Sequence, residues 1–412
     1  MTALPAVYWY LWSGMLINRL GGFAVLYLSL YLTDVRHLSI SAAGLVTSLA
    51  GAGGMAGVLL GGTLADRWGR RSTLLACHAG TAVALLLLGL APWLPVVAAT
   101  TLLVGAGQAM AGPAFVAAIV DTVPEADRTR AFNLQFWAFN LGTAMASLLA
   151  GVLAQAGYTL LFVLDAAATT LTLAVLALRL PETRPTAAAA PVPCAARAGL
   201  PTVLRDRIFL AFVGLSLLSA LVTAQNSTIL PLAMHRHGLP PSAYGAVAAF
   251  AAGLIVLGQL FVPRLIGGRR KGPVLAVAAA LLGCGIALLA PAGGAIGGYL
   301  LAALVWTTGS MLAAPPNAAV VAELAPAALR ARYQAVFYLV FPAAAFLAPA
   351  FGGWSLEHLG DGHWLAAAAI AALAAVGHLA ASGPRERRRA AADRAVVADG
   401  SGAGSRTQTL DC

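Results

Sequence analysis

The chain alternates long apolar runs with short polar punctuation, and no stretch shows the strict two-residue alternation of a half-buried strand. Runs of about 20 residues, the length needed to span a bilayer as helix, fall near 7–32, 41–64, 73–91, 95–120, 131–155, 158–179, 208–231, 242–266, 273–291, 294–320, 333–355 and 364–382. Twelve membrane helices are therefore predicted. The first run is too long for a signal peptide, lacks a basic start and has no small-residue cleavage site after it, so it is expected to stay as a helix.

Composition agrees with this pattern. The chain is 60% hydrophobic and only 10% charged, with a mean hydropathy of +0.84; a soluble domain carries about 25% charged residues. So little charge over 412 residues leaves the bilayer as the solvent. Basic residues set the orientation. With residue 1 in the cytoplasm, 22 of the 25 Lys and Arg residues fall in inside segments, the bias of the positive-inside rule. Both termini are then cytoplasmic, and the net charge of +10 faces an anionic leaflet. No soluble domain remains to bind nucleic acid. Cys77, Cys194, Cys284 and Cys412 show no metal-site or disulfide spacing.

A repeat organises the chain. Gly107, Pro113, Asp121, Pro124, Arg128, Arg130 and Gly151 recur at a constant offset of 202 as Gly309, Pro315, Glu323, Pro326, Arg330, Arg332 and Gly353. A helix–basic loop–helix unit repeated in two halves reads as a transporter of parallel repeats. The expected division is a six-helix bundle over 1–180, a cytoplasmic linker over 181–207 rich in Pro and Ala (Pro181, Pro185, Pro191, Pro193), a second bundle over 208–382, and a disordered cytoplasmic tail over 383–412. The tail's Arg385–Arg389 cluster serves as a topology anchor or lies on anionic lipid.

Between the second and third runs stands Gly62-Thr63-Leu64-Ala65-Asp66-Arg67-Trp68-Gly69-Arg70-Arg71. Gly69 suits a tight turn needing positive φ, Gly62 suits close backbone approach, and Asp66 suits a helix N-terminus. Arg67, Arg70 and Arg71 can pair with an acid on a neighbouring helix, Asp121 being the candidate. This loop resembles the signature loop of the major facilitator superfamily. The resemblance implies an all-α membrane fold, twelve helices in two pseudo-symmetric six-helix bundles. It also implies a latch that holds the outward-facing state, with Asp66 facing the start of helix 11 and a loop arginine on Asp121. The second copy, Pro263-Arg264-Leu265-Ile266-Gly267-Gly268-Arg269-Arg270, has Pro263 in place of the acid, so the latch is not expected there. The superfamily's antiporter pattern in helix 5 keeps its small residues (Gly142, Ala146, Ser147, Ala150, Gly151) but not its proline, while helix 11 reads Ala344, Ala348, Pro349, Gly352 and Gly353.

Charge at mid-bilayer is costly and marks function or pairing. Arg19, in helix 1, reads as a cavity charge or a structural arginine. Asp165, in helix 6, reads as a possible proton-coupling carboxylate or an acid near the outer interface. Helices 1, 4, 7 and 10 line the cavity in the resembled family, which singles out Asn18, Arg19, Gln108, Gln225, Asn226, Trp306 and Asn317. Asn133, Gln135, Asn140, Gln259 and Gln334 read as interhelical hydrogen bonders, and His235, His237 and His378 as ordinary loop or interface histidines.

No nucleotide-binding loop and no nucleophile–base or metal cluster appears, so neither ATP-driven transport nor an enzyme is expected, and no cofactor. The expected function is secondary transport in the inner or plasma membrane by a monomer whose partners are lipid, protons and a small-molecule substrate. The leading reading is efflux of amphiphilic, antibiotic-like compounds by proton antiport, conferring antibiotic resistance. The alternative is proton-coupled uptake of a sugar, peptide or organic acid. The topology has its own check: reporter tags at residue 1 and residue 412 are expected to be shielded together in sealed cells, and opposite accessibility would sink the twelve-span reading.

Overall fold

The computed structural model describes residues 4–183, 200–259, 261–326 and 329–388. Among these residues the chain is helical, with no strand. Eleven helices are long and apolar enough to cross a membrane: Ala6–Asp34 (span 1), Ile40–Trp68 (span 2), Arg70–Leu90 (span 3), Leu94–Thr122 (span 4), Glu125–Leu153 (span 5), Tyr158–Arg179 (span 6), Arg207–Thr228 (span 7), Pro241–Gly258 (span 8), Ile296–Leu324 (span 10), Arg332–Leu359 (span 11) and Gly362–Arg388 (span 12). Span 9, Lys271–Ala287, is apolar but shorter. The twelve expected runs and the twelve helices coincide.

Two boundaries differ from expectation for local reasons. Span 5 starts at Glu125, so Arg128 and Arg130 lie in its first turns and not in a loop. Pro124 fixes the entry dihedral at the N-cap, and Glu125 and Asp127 sit at the positive helix end. Arg128 then reaches back to the Val120 and Val123 carbonyls (3.0 and 3.3 Å) and caps span 4. The second copy opens the same way: Asp127 N donates to Pro124 O, and Leu329 N to Pro326 O. The other difference is the tail, which continues span 12 as helix to Arg388 instead of leaving it at Gly383. Pro185, Pro191, Pro193, Cys194, Arg389, Cys412 and the rest of 389–412 lie outside the described residues.

Each half is a bundle. In the first, span 2 packs on span 4, span 4 on span 3, span 3 on span 6, and span 1 on spans 5 and 6. In the second, span 9 packs on spans 10 and 12, and span 7 on spans 11 and 12. Small residues permit the close approaches, as lipid-embedded helices require. A Cβ on Gly53 would collide with Leu102 O, and one on Gly105 with Ala50 O. The repeat glycines act as a pair: Gly107 makes room for Thr81 of span 3, and Gly309 for Ala278 and Leu282 of span 9.

The halves meet along two crossings, span 2 on span 11 and span 5 on span 8. Gly44 lies against Pro349 and Gly353, Gly51 against Ala345 and Phe346, and Gly151 against Ser242 and Gly245. The Gly44 and Gly151 contacts are at the end opposite the arginine-rich loops, and the Gly51 contact lies nearer mid-span. Gly151 and Gly353 are repeat partners, so the two crossings are one contact used twice. Hydrogen bonds at the same end reinforce them: Ser41 N donates to Glu357 Oε2 at 2.7 Å, and Tyr27 Oη to Pro241 O at 3.1 Å. Tyr27 also meets Tyr244 edge-on, and His235 Nε2 stands 3.4 Å from Asp34 Oδ1. At the basic end, Asp66 and Trp68 are exposed and a Cβ on Gly62 would meet nothing.

Ion pairs at the basic end tie each half to itself. Asp206 caps span 7 by accepting from Phe209 N, and it takes the Tyr333 hydroxyl (2.8 Å) and both contacts of Arg388 Nη1 (2.7 Å). Burial alone would raise this carboxyl, but these donors outweigh it and hold Asp206 below the ordinary carboxylate range. Its pKa is depressed in the folded state, so the stabilisation is complete above the unfolded value of about 3.9 and is lost as pH falls through the folded value. Thermal melts of the purified protein are expected to fall between pH 5 and pH 2, with a shallower fall in Asp206→Asn; identical slopes would refute the assignment.

Candidate functional site

Span 1 is not continuous. Its first part, Ala6–Leu20, ends at Gly21-Gly22, and its second, Ala24–Asp34, begins after Phe23. The break frees backbone N–H groups inside the apolar slab, where an unmet donor costs several kcal/mol. Tight local bonds take some of them: Gly22 N donates to Arg19 O (3.2 Å) and Phe23 N to Gly21 O (2.7 Å). The N-terminus of the second part is met from span 6, where Asp165 Oδ2 accepts from Ala24 N at 3.0 Å. Asp165 is 1% exposed. It lies at the positive end of one half-helix while Arg19 occupies the negative end of the other.

Span 6 serves span 1 along one polar stripe. Asp165, Thr169 and Thr172 recur at the spacing of a single helical face. Thr169 Oγ1 accepts from Asn18 Nδ2 at 3.3 Å, and the Thr172 hydroxyl donates to Gly14 O at 3.0 Å. The sequence suggests a proton-coupling carboxylate or an acid near the outer interface at Asp165. The structure corrects the second reading: the residue is sealed and holds a backbone terminus. The stripe was readable in the sequence as polar residues at i, i+4 and i+7.

Arg19 is exposed, and its guanidinium carbon stands 3.9 Å over the Phe139 ring of span 5. Gly142, one turn along, makes room for the Arg19 stem. Phe139 occupies the arc of span 5 between Gly142, which faces span 1, and Ser147, which faces span 8. The opposite arc carries exposed Leu141, Met145, Leu148 and Val152 and so faces lipid. The Arg19–Phe139 pair therefore looks into the space between the halves.

The other expected cavity residues divide. Gln108 is exposed on the side of span 4 it shares with Gly112, where a Cβ would meet nothing. In span 7, Gln225 Oε1 and Asn226 Oδ1 are buried without a hydrogen-bond partner, as is Asn317 Oδ1 in span 10. Gln225 sits against Gly352 of span 11. Trp306 is a correction: it is 5% exposed, packs on Gly285 of span 9 and belongs to the second bundle's core. Asn140 bonds Phe136 O of its own helix. Asn133 lines a shallow groove with Arg130 and Trp137. His237 pairs with Asp361 (3.0 Å), and His378 is buried near the Phe212 ring.

The signature loop turns at Gly69, φ 99°, between spans 2 and 3. The expected pair forms, Arg70 Nε to Asp121 Oδ2 at 2.9 Å. Arg71 donates to Ala177 O at 2.7 Å. Asp66 caps no helix; it stands 3.4 Å from Arg70 with its side chain 76% exposed. The cap comes from Glu182, whose Oε1 accepts from Arg70 N at 2.9 Å. Sequence reading missed this acid because only the fold brings the segment after span 6 to the start of span 3. The second copy, which has Pro263 in place of the acid, keeps an equivalent pair between Lys271 and Glu323.

Comparison with known proteins adds to this geometry. The family model of the Major Facilitator Superfamily matches residues 11–349. The MFS-type transporter YqjV of Bacillus subtilis (strain 168) is 28% identical over 142 residues, 34% of this chain and 35% of that protein, so the match spans about a third of the relative's length. A solved POT family transporter in complex with 5-aminolevulinic acid superposes with TM-score 0.77 at 15% identity, covering 92% of this chain and 97% of that one. The nucleoside transporter NupG gives 0.77 at 16%, covering 91% and 99%. A D-xylose-proton symporter gives 0.72 at 16%, covering 90% and 96%. At these identities the likeness is one of fold.

Replacing the acid that holds the broken helix has a graded outcome. Asp165→Ala leaves Ala24 N–H without an acceptor and is expected to cost about 1–3 kcal/mol. Asp165→Asn keeps a carbonyl in place and should lose less. Melting curves in detergent check this, and equal losses would remove the capping role.

Proposed function

The chain belongs to the major facilitator superfamily, and from that premise we propose that it carries a small amphiphilic organic solute with an anionic group through a site between its two halves. The moving bodies are residues 1–180 and 208–382, joined by 181–207, in a monomer of the inner or plasma membrane with both termini cytoplasmic. They rock about the central site, so that access alternates between the two sides.

One observation carries the reading. Arg19, at the break in span 1, presents a fixed guanidinium backed by the Phe139 ring. A cation over an aromatic face offers one anchor for negative charge and one for an apolar body. With the basic loops in the cytoplasm, the conformation is inward-open: the far end is sealed by the glycine crossings and Glu357, and the signature loop pairs within its own half. In the outward-open state the latch would engage, with Asp66 at the start of span 11.

The direction we favour is export by exchange with protons, which includes antibiotic-like compounds and hence resistance. Its support is a site that offers a ring and few polar anchors. Proton-coupled uptake of a peptide or organic acid is the second reading. The unpartnered oxygens of Gln225, Asn226 and Asn317 favour it: they are sealed in this conformation, and a movement that uncovered them would suit a solute rich in donors. Solved relatives in fold include a POT family transporter, a nucleoside transporter and a xylose–proton symporter. Asp165 is the candidate coupling carboxylate in either direction, since protonation would weaken its hold on Ala24 and free the bend of span 1.

Proteoliposomes with an imposed proton gradient separate the readings. Carboxylate-bearing amphiphiles are expected to move against or with the gradient according to direction. Arg19→Gln should lower kcat/KM at least about tenfold, the loss of one charged hydrogen bond, while Arg19→Lys keeps part of the activity. Full activity in Arg19→Gln, or transport confined to cations, would overturn the proposal.

A further inference from the structure

The internal repeat supplies a comparison between the two ends of one molecule. At the start of span 3, Arg70 N donates to a carboxylate oxygen of Glu182, an acid brought from beyond span 6. Span 9 is the counterpart of span 3, and Lys271 pairs with Glu323 as Arg70 pairs with Asp121. In the last turns of span 12, Glu386 turns instead to the Arg270 side chain. Among the described residues, no side-chain acceptor takes Lys271 N or Gly272 N.

A cavity of about 320 Å³ lies where the carboxylate would be. Its walls include Arg269, Arg270, Lys271, Gly272, Ser382 and Arg385, and the acids among the described residues that line it are Glu323 and Glu386. Both acids are already engaged by Lys271 and Arg270. Four cationic side chains against two carboxylates leave the cavity positive. Arg385 is 8% exposed; its Nε and Nη2 bond the Ala381 and His378 carbonyls, and its Nη1 has no acceptor. A buried guanidinium with an unmet donor, beside an uncapped helix N-terminus, is a combination that binds oxyanions.

We propose that this cavity between spans 9, 10 and 12 binds a phosphate-bearing anion, which supplies to the second half the negative charge that Glu182 supplies to the first. The cavity is too large for a lone carboxylate, and the membrane edge at the basic end places it beside lipid phosphates. The phosphate arrives either as the headgroup of an anionic phospholipid or free in solution.

Native mass spectrometry of the full-length purified protein distinguishes the sources. It is titrated in separate arms with phosphatidylglycerol, diacylglycerol and inorganic phosphate. Retention of phosphatidylglycerol over diacylglycerol identifies a headgroup; retention of inorganic phosphate identifies a soluble anion. In the arm that binds, Arg385→Gln and exposed Arg269→Gln are each expected to weaken retention, the buried variant about tenfold. If Arg385→Gln does not fold, Arg269→Gln and Lys271→Gln carry the test. Arg36→Gln, on the far face, should change nothing. No binding in any arm, equal retention of diacylglycerol and phosphatidylglycerol, or retention indifferent to the cavity variants would overturn the site.

Discussion

A bilayer offers no water to a broken backbone, and the architecture around span 1 follows from that constraint. Two consecutive glycines stop the helix at Gly21-Gly22, and its restart at Ala24 needs an acceptor. The acceptor is the carboxyl group of Asp165, sealed inside the first bundle. This acid and the cation at Arg19 sit at opposite sides of one helix break, the acid at a half-helix N-terminus and the cation at a half-helix C-terminus. The two costliest residues in the membrane interior are therefore one device. Asp165 stays buried to hold the bend, and Arg19, with its helix ended, is left over Phe139 where the halves separate.

The second constraint is steric. Lipid tails are as apolar as leucine, so helices here associate through close fit and not through exclusion of water. Gly44 against Gly353 and Gly151 against Gly245 bring backbones to van der Waals contact at one end of the molecule. Such contacts have little give, which makes them suited to a closure that is either made or parted. The ion pairs at the basic end behave differently. Arg70 with Asp121 and Lys271 with Glu323 each tie one half to itself and do not cross between halves.

Much of this was written in the chain. The apolar runs located all twelve helices, and the constant offset of the repeat marked positions whose physical roles the structure supplies: Gly107 and Gly309 for close packing, Pro124 and Pro326 for helix entry, Asp121 and Glu323 for pairing. Arg70 with Asp121 was readable because both stand at the same end of adjacent helices. What escaped were contacts between segments distant in sequence. Glu182 has no local pattern that points to Arg70 N. The hold of Asp165 on Ala24 N has no sequence signal either, because its partner is a backbone amide, which every residue carries and no sequence advertises. Helix number alone points Trp306 at the cavity, but rotation about the helix axis turns it onto Gly285 of span 9.

The departures from symmetry are more informative than the symmetry. The break in span 1 has an acid to hold it, whereas span 7 interrupts at Ile229, near the far end, with local backbone bonds sufficing: Ile229 N donates to Gln225 O, and Ala233 N to Ile229 O. At the repeat position of Asp165, span 12 has Ala367. A bend near the surface needs no charged support, whereas one in the interior does. The first half therefore carries the intramembrane charges, and the second carries buried amides that lack partners. The two halves are thus chemically unlike in their interiors: one commits a carboxyl group and a guanidinium to a single helix break, and the other holds amide oxygens sealed away from any donor.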